Sequence, residues 1–193
     1  IKKDPSVITY APSIAKIMKD YRATAIRFDD MIDKYGVVVE NYVKEKKPDI
    51  PALFEEFWDL HDHKIKPFYK HIQKEDDLII TASPTISMDI LCPRVGIKHW
   101  LGTEFDEKTG KFIRGCFRER KIDFFREAYP DGVIDDFYTD SMNDKFLFPY
   151  AKRVFFSNGI HHHYAEDKFV PECSAAYFLE LMKAVGTADV DLI

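Results

Sequence analysis

Two polar clusters in the sequence have residue types suited to phosphate and metal chemistry. The first, Thr81-Ala82-Ser83, follows the apolar run Leu78-Ile79-Ile80 and precedes Pro84, which is the pattern of a buried strand leading into a helix. A hydroxyl group and the backbone N–H groups of a helix start favour a bound phosphate. An ordinary helix cap, with Ser83 before Pro84 at the first helical position, is the alternative explanation of the same residues.

The second cluster, Asp140-Ser141-Met142-Asn143-Asp144, follows a second apolar stretch at residues 133–139. Two carboxylates at a strand end supply the hard oxygen ligands that Mg²⁺ prefers. Lys121 lies between the two clusters, at the start of a predicted helix, where its charge could neutralise a phosphate. Each feature alone is common by chance, so the order of the three carries the argument.

The elements around these clusters predict an α/β fold. Residues 1 to about 75 show helical spacing of apolar residues and predict three to five helices. From Asp77 onward, strands alternate with helices, which is typical of a parallel sheet whose strand ends share one edge. The predicted strands are 78–80, 133–139 and 153–156, with a hairpin turning at 108–110, and the predicted helices start at Pro84 and cover 119–129, 144–150 and 174–185.

The succession of strand and threonine, then lysine, then strand and Asp-x-x-x-Asp resembles the haloacid-dehalogenase-like (HAD) phosphohydrolase superfamily. The phosphoserine-phosphatase-like branch is the most similar. The residues that carry this resemblance are Ile79 to Pro84, Gly102 to Phe105, Thr109 to Cys116, Arg120-Lys121 and Tyr138 to Asp144. The resemblance implies a Rossmann-like parallel sheet core with an inserted all-helical cap. The implied division is a cap at 1–75, a core at 76–170, and a C-terminal helix and tail at 171–193.

The resemblance also implies a role for each site residue. Thr81 would hold a phosphoryl oxygen, together with the backbone at Ala82 and Ser83, and Lys121 would pair with the nucleophile and the phosphate. Asp140 would be the Mg²⁺ ligand, with Asp144 and Asn143 supporting the metal or the lysine. The family has a glycine-acid-acid-lysine run where this chain has Arg118-Glu119-Arg120-Lys121, so Arg118 or Arg120 could share the role of Lys121.

One family motif is missing, namely the Asp-x-Asp-x-Thr that carries the nucleophile and the general acid/base. Phe28-Asp29-Asp30 lies in a helical pattern, and Asp189-Val190-Asp191 lacks the threonine and a preceding strand. The numbering begins with Ile1, which is not an initiator residue. We therefore expect the nucleophile strand upstream of Ile1. This strand is central in the family, so its neighbours would lack a pairing partner without it.

The expected function is Mg²⁺-dependent hydrolysis of a small phosphomonoester through an aspartyl-phosphate. The alternative is a non-catalytic HAD-like binding protein that lost its nucleophile. Within the enzymes, a phosphotransferase, a mutase or a dehalogenase also stays open; dehalogenases of this superfamily need no Mg²⁺, and the Asp140/Asp144 pair favours the metal-dependent members. A small phosphorylated metabolite is the expected partner, with cap residues helping to select it.

Composition limits the other classes of function. The 193 residues carry a net charge of −5, which disfavours a nucleic-acid binder that relies on phosphate contacts. No apolar run is long enough to span a bilayer. Cys92, Cys116 and Cys173 are far apart and odd in number, so they predict neither a zinc site nor a disulfide framework, and a cytoplasmic location follows.

Other residues of possible chemical interest have simpler interpretations. His161-His162-His163 is interpreted as a surface loop, because three consecutive imidazoles cannot all face one ion from a regular element. His61 and His63 do not share a helix face, so they predict no zinc site. Cys116 is expected to be a small buried side chain. The aromatic residues of the helical part are expected to form its core: Phe54, Phe57, Trp58 and Phe68.

Overall fold

The computed structural model describes residues 9–65, 67–139 and 141–156, and they form a mixed α/β structure. The helices are α1 Ala11–Arg22, α2 Phe28–Lys46, α3 Ile50–His61, α4 Pro67–Ile72, α5 Thr85–Arg94 and α6 Arg120–Ala128, with 3-10 helices at Asp62–Lys64 and Met142–Tyr150. The strands are β1 Leu78–Pro84, β2 His99–Phe105, β3 Phe112–Arg114, β4 Ile134–Thr139 and β5 Ala151–Phe156. Within the described residues, no helix is long and apolar enough to cross a membrane.

The helical first part has four α-helices within the described residues, as its apolar spacing predicts. Gly36 lies inside α2, and a Cβ there would meet only the Phe112 side chain, at 3.7 Å. Asp30 caps the start of α2 by accepting a hydrogen bond from the Arg27 backbone N–H at 3.2 Å. Helix α2 ends at Lys46, and its C-cap residue Lys47 has a φ of 46°, in the left-handed region.

The strands pair in two groups. Strand β1 pairs with β2 in parallel, from Leu78 opposite His99 to Ile80 opposite Leu101, and β4 pairs with β5 in parallel along its length. The end of β2 pairs with β3 in the antiparallel direction. The two parallel pairs match the sequence expectation, but they form two sheets, and none of the described strands joins β1 to β4.

The predicted hairpin turn at 108–110 is confirmed, and its geometry follows from two residues. The Asp106 carboxylate accepts hydrogen bonds from the backbone N–H groups of Lys108 and Thr109, both at 2.9 Å. The bond from Thr109 is the main reason why the pKa of Asp106 lies below its usual value. Gly110 has a φ of 71°, which favours glycine, and a Cβ there would meet the Val43 side chain at 2.7 Å.

The predicted helix at 144–150 is a 3-10 helix over Met142–Tyr150. Pro149 lies inside it and has no backbone N–H to donate, which disfavours a continuing α-helix. The segment nevertheless packs well, since Leu147 and Phe148 are fully buried. A second cluster of buried residues contains Met88, Cys92 and Ile97, against which Trp58 and Trp100 pack.

The contacts group the described chain into two units. The first unit runs to Phe57 and includes Glu104–Arg114; the second comprises Trp58–Thr103 and the residues from Gly115 onward. The ranges 1–75 and 76–170 expected from the family resemblance remain a prediction. The predicted helix at 174–185, the tail at 171–193, His161-His162-His163 and Asp189-Val190-Asp191 lie outside the described residues.

Candidate active site

The residues predicted to bind phosphate form an interruption in the β1–β2 ladder. Ile80 pairs with Leu101 and Pro84 pairs with Thr103, so Thr81, Ala82 and Ser83 together lie opposite the single residue Gly102. Such a bulge takes backbone groups out of regular pairing and redirects them. The three residues therefore belong to an irregular strand end, and not to the first turn of a helix.

The expected helix start is wrong by one residue. Helix α5 begins at Thr85, with Pro84 as its N-cap residue and no side-chain cap hydrogen bond. Pro84 has a φ of −56° and a ψ of 136°, so it adopts the extended conformation that precedes a helix. Ser83 does not cap the helix; its backbone N–H instead donates to the Thr81 hydroxyl at 3.1 Å.

The backbone of β2 holds the bulge in place by close approach. A Cβ on Gly102 would lie 2.9 Å from the Ser83 carbonyl oxygen and 3.3 Å from the Thr85 backbone N, so only glycine fits there without a shift. The Thr85 hydroxyl donates to the Thr103 carbonyl oxygen at 3.0 Å. These contacts fix the backbone immediately after Thr81.

Lys121 forms a covered ion pair with Asp144. It is the second residue of α6, and its Nζ lies 2.5 Å from Asp144 Oδ1. The side chains are only 8% and 17% exposed, so the pair is largely removed from water. An ammonium has three N–H donors, and the bond to Asp144 uses one of them. The arrangement can therefore bind an anion with a lysine whose position is already set.

Thr139, the last residue of β4, adds a third member to this group. Its side chain is buried, and its hydroxyl donates to Asp144 Oδ2 at 2.8 Å. The Thr139 hydroxyl oxygen also accepts a hydrogen bond from the Ser141 backbone N–H at 3.1 Å and lies 3.3 Å from the Ser141 carbonyl oxygen. Thr139 is a site residue that the sequence pattern did not predict, although a hydroxyl residue directly before Asp140 at a strand end is a signal for it.

The turn before α6 has an unusual backbone conformation at Arg118. Its φ is 51°, in the left-handed region that favours glycine. The family pattern has glycine at this position, and glycine would adopt this conformation without strain. Arg120, which could share the role of Lys121, places its guanidinium over the Phe117 ring at 5.2 Å.

The remaining predicted metal residues have different outcomes. Asp140, the expected Mg²⁺ ligand, lies outside the described residues, which resume at Ser141. Asn143 is exposed, and its backbone N–H donates to the Ser141 hydroxyl at 3.2 Å. In the described part of the chain no group of three or more His, Cys, Asp or Glu residues forms a metal cluster.

The structure thus brings two of the predicted residues into direct contact, Lys121 and Asp144. Helix α6, which carries Lys121, packs against β1, the strand that contains Thr81, and against the 3-10 helix that contains Asp144. All three elements lie in the second unit. The expected phosphate-binding and lysine residues are therefore positioned by elements that touch one another.

Comparison with known proteins gives a fold similarity only. No protein-family model matches the sequence, and no curated protein matches it. The crystal structure of a protein of unknown function from Bordetella pertussis Tohama I is similar, with a TM-score of 0.57 and 16% sequence identity, over 98% of this chain and 85% of that chain. At this identity the likeness concerns the fold alone. The mixed α/β fold described here therefore has a counterpart in a crystal structure.

Proposed function

We propose that the protein is a Mg²⁺-dependent phosphatase that hydrolyses a small phosphomonoester through an aspartyl-phosphate. The observation that carries the proposal is the covered ion pair between Lys121 and Asp144, oriented by Thr139 at the end of β4. These two charged residues come from separate sequence motifs that lie 23 residues apart. A lysine held by a carboxylate near a strand end is suited to binding a phosphoryl group.

The pairing of the strands supports a Rossmann-like core for this enzyme. The pairs β1–β2 and β4–β5 are both parallel and lie in one unit. Lys74, four residues before β1, forms an ion pair with Asp136 of β4 at 3.4 Å, and α6 packs against β1 and against the 3-10 helix between β4 and β5. One further parallel strand between β1 and β4 would join them into a single sheet in the order β2-β1-new strand-β4-β5.

The burial of β1 and β4 agrees with such a strand. Parallel strands inside an α/β sheet are normally covered on both sides. Ile79 and Ile80 of β1, and Phe137 and Tyr138 of β4, are only partly buried among the described residues. We propose that the strand carrying the nucleophile precedes Ile1 and occupies this position. Its carboxyl end would then lie between Thr81 and the residues that follow β4.

The residue types that follow β4 fit the proposed cofactor in their chemistry. Asp140, with support from Asp144, would hold Mg²⁺ through carboxylate oxygens, which are the ligands this ion prefers. When bound, Mg²⁺ supplies positive charge that offsets the repulsion between an anionic nucleophile and a phosphate. Lys121 binds an equatorial phosphoryl oxygen through its ammonium, and Thr81 donates its hydroxyl hydrogen to another. Asp144 holds Lys121 in place during the reaction.

A non-catalytic HAD-like binding protein is the second candidate. The observation that favours it is the sequence itself, since residues 1–193 contain no Asp-x-Asp-x-Thr motif. Such a protein would keep the anion-binding residues Lys121 and Thr81 and bind a phosphorylated ligand without turning it over.

The test measures phosphate release by the complete gene product with O-phosphoserine and p-nitrophenyl phosphate, each with and without Mg²⁺. We expect Mg²⁺-dependent release in the wild type and its loss in Asp140→Asn. Asp135→Asn is the matched control, because Asp135 is an exposed residue of β4 that pairs with Lys152. Full activity in Asp140→Asn contradicts the proposal. Binding of phosphate without any turnover assigns the protein to the second candidate.

A further inference from the structure

The hydroxyl of Thr139 is placed to control the geometry of the candidate site. Thr139 is 6% exposed, and its oxygen lies within hydrogen-bonding distance of Asp144 Oδ2, the Ser141 N–H and the Ser141 carbonyl oxygen. A hydroxyl has one proton to donate. The ionised carboxylate at 2.8 Å is a stronger acceptor than the carbonyl at 3.3 Å, so the proton is directed at Asp144.

This bond divides the two oxygens of Asp144 between two partners. Oδ1 accepts from Lys121 and Oδ2 accepts from Thr139, so the carboxylate is held at two points and cannot rotate freely about its last torsion. A carboxylate held in this way keeps the ammonium of Lys121 at one position. The location of the anion-binding charge therefore depends on Thr139, although Thr139 does not touch the ion pair's nitrogen.

The same hydroxyl also fixes the backbone beside the expected metal ligand. Thr139 and Ser141 flank Asp140 in the sequence, and the Ser141 N–H donates to the Thr139 hydroxyl. A single side chain thus joins the residue before Asp140 to the residue after it and to Asp144. The 3-10 helix continues this arrangement, because the Asp144 N–H donates to the Ser141 carbonyl oxygen at 3.1 Å.

We propose that Thr139 is a positioning residue that orients Asp144, and through it Lys121, for phosphoryl binding. The effect of Thr139 on kinetics rests on the proposed function. Its effect on the position of Asp144 can be tested by protein stability, without an activity assay. Valine at position 139 has nearly the shape of threonine and lacks the hydroxyl, whereas serine keeps the hydroxyl and lacks the methyl group. The two replacements therefore separate the hydrogen bonds from the packing.

The kinetic test compares Thr139→Val and Thr139→Ser in the complete gene product. Loss of a hydrogen bond to a charged group is expected to lower kcat about ten- to hundredfold, with a smaller change in KM. Thr139→Ser is expected to restore kcat to within about threefold of the wild type, since the hydroxyl is retained. The matched control is Thr103→Val, because Thr103 is equally buried and its hydroxyl accepts only a structural bond from the Cys116 N–H at 3.1 Å.

Thr103→Val is expected to lower stability and leave kcat unchanged. Wild-type kcat and KM in Thr139→Val, or failure of Thr139→Ser to restore activity, would overturn the inference while leaving the proposed function intact. An inactive wild type would instead overturn the proposed function.

The activity-independent test measures how much Asp144→Asn destabilises the protein in different backgrounds. If Thr139 orients Asp144, this cost is smaller in the Thr139→Val background than in the wild type, and unchanged in the Thr103→Val background. An equal cost in all three backgrounds shows that Thr139 does not position Asp144.

Discussion

Replacing Asp144 with asparagine is expected to destabilise the protein far more than the same replacement at Asp135. Both aspartates bind a lysine Nζ through Oδ1 at nearly equal distances, 2.5 Å to Lys121 and 2.6 Å to Lys152. The two pairs differ in exposure. Lys121 and Asp144 are 8% and 17% exposed, whereas Lys152 and Asp135 are 66% and 72% exposed. The chemistry and the distance of the two ion pairs are matched, so the comparison reports mainly the difference in burial.

The expected magnitude follows from this difference. At a fixed distance the Coulomb attraction varies inversely with the effective dielectric constant, which falls from about 80 in water to about 20 near a protein, so it is about fourfold larger in the covered pair. Asparagine removes the charge of Asp144 but keeps an oxygen for the Thr139 hydroxyl. Lys121 is then left covered and without its counter-charge, which costs about 3 kcal/mol of unfolding free energy. The exposed pair at Asp135 is screened by water and should give no measurable loss.

The assay is urea unfolding followed by circular dichroism at neutral pH, for the wild type, Asp144→Asn, Asp135→Asn and Lys121→Met. The double variant of Lys121 and Asp144 completes a thermodynamic cycle, in which we expect a coupling of about 2 kcal/mol. Equal losses in Asp144→Asn and Asp135→Asn would refute the reasoning. A coupling near zero would show that the two side chains do not interact in solution.

Three further predictions concern the backbone and a buried thiol. Gly102→Ala is expected to lower the free energy of unfolding by about 1–3 kcal/mol, because its Cβ would collide with the Ser83 carbonyl oxygen. Gly36→Ala inside α2 is expected to raise it by about 0.5–1 kcal/mol. Thermal unfolding of both variants checks these opposite signs, and equal signs contradict the prediction. Arg118→Gly is expected to be neutral or to gain up to about 1 kcal/mol by relieving a φ of 51°, and a clear loss in urea unfolding would show that its side chain stabilises the turn. Burial raises the pKa of Cys92 from 9.0 to about 11, so between these pH values the thiol loses its proton in the unfolded chain and keeps it in the folded one. The free energy of unfolding therefore falls as pH rises through this window. Cys92→Ala should flatten this dependence, which urea unfolding at several pH values in the window measures.

The local elements could be predicted because their signals lie within a few residues. The turn of the hairpin depends on Asp106 and Gly110, whose side-chain bond and positive φ are properties of neighbouring positions. The strand character of β4 and the helical spacing of α6 are likewise local. The family resemblance left open whether Asp144 supports the metal or Lys121, and its contact with Lys121 concerns spatial neighbours, about which spacing alone contains no information.

The features that were missed depend on backbone geometry that the spacing of apolar residues does not report. Helix α5 begins at Thr85 and not at Pro84, where β2 approaches closely at Gly102. No residue near Pro84 signals this approach in the sequence. Pro149 disfavoured an α-helix in the segment after β4, but the apolar residues around it read as ordinary helix. The role of Thr139 follows from its distance to Asp144, which depends on how the 3-10 helix turns back to the strand end.

The short sequence distance within each parallel pair has a consequence for how the protein folds. Strand β1 meets β2 and strand β4 meets β5 after about 20 residues each, with α5 in one connection and a 3-10 helix in the other. The entropy lost on closing loops of this length is modest, and contacts between nearby segments form quickly. We therefore expect each pair to form before the two pairs are brought together. We expect amide hydrogen exchange to show each strand pair as a cooperative opening unit. Helix α6 packs against β1 and against the 3-10 helix between β4 and β5, so its amides should be protected only when the two strand pairs are joined.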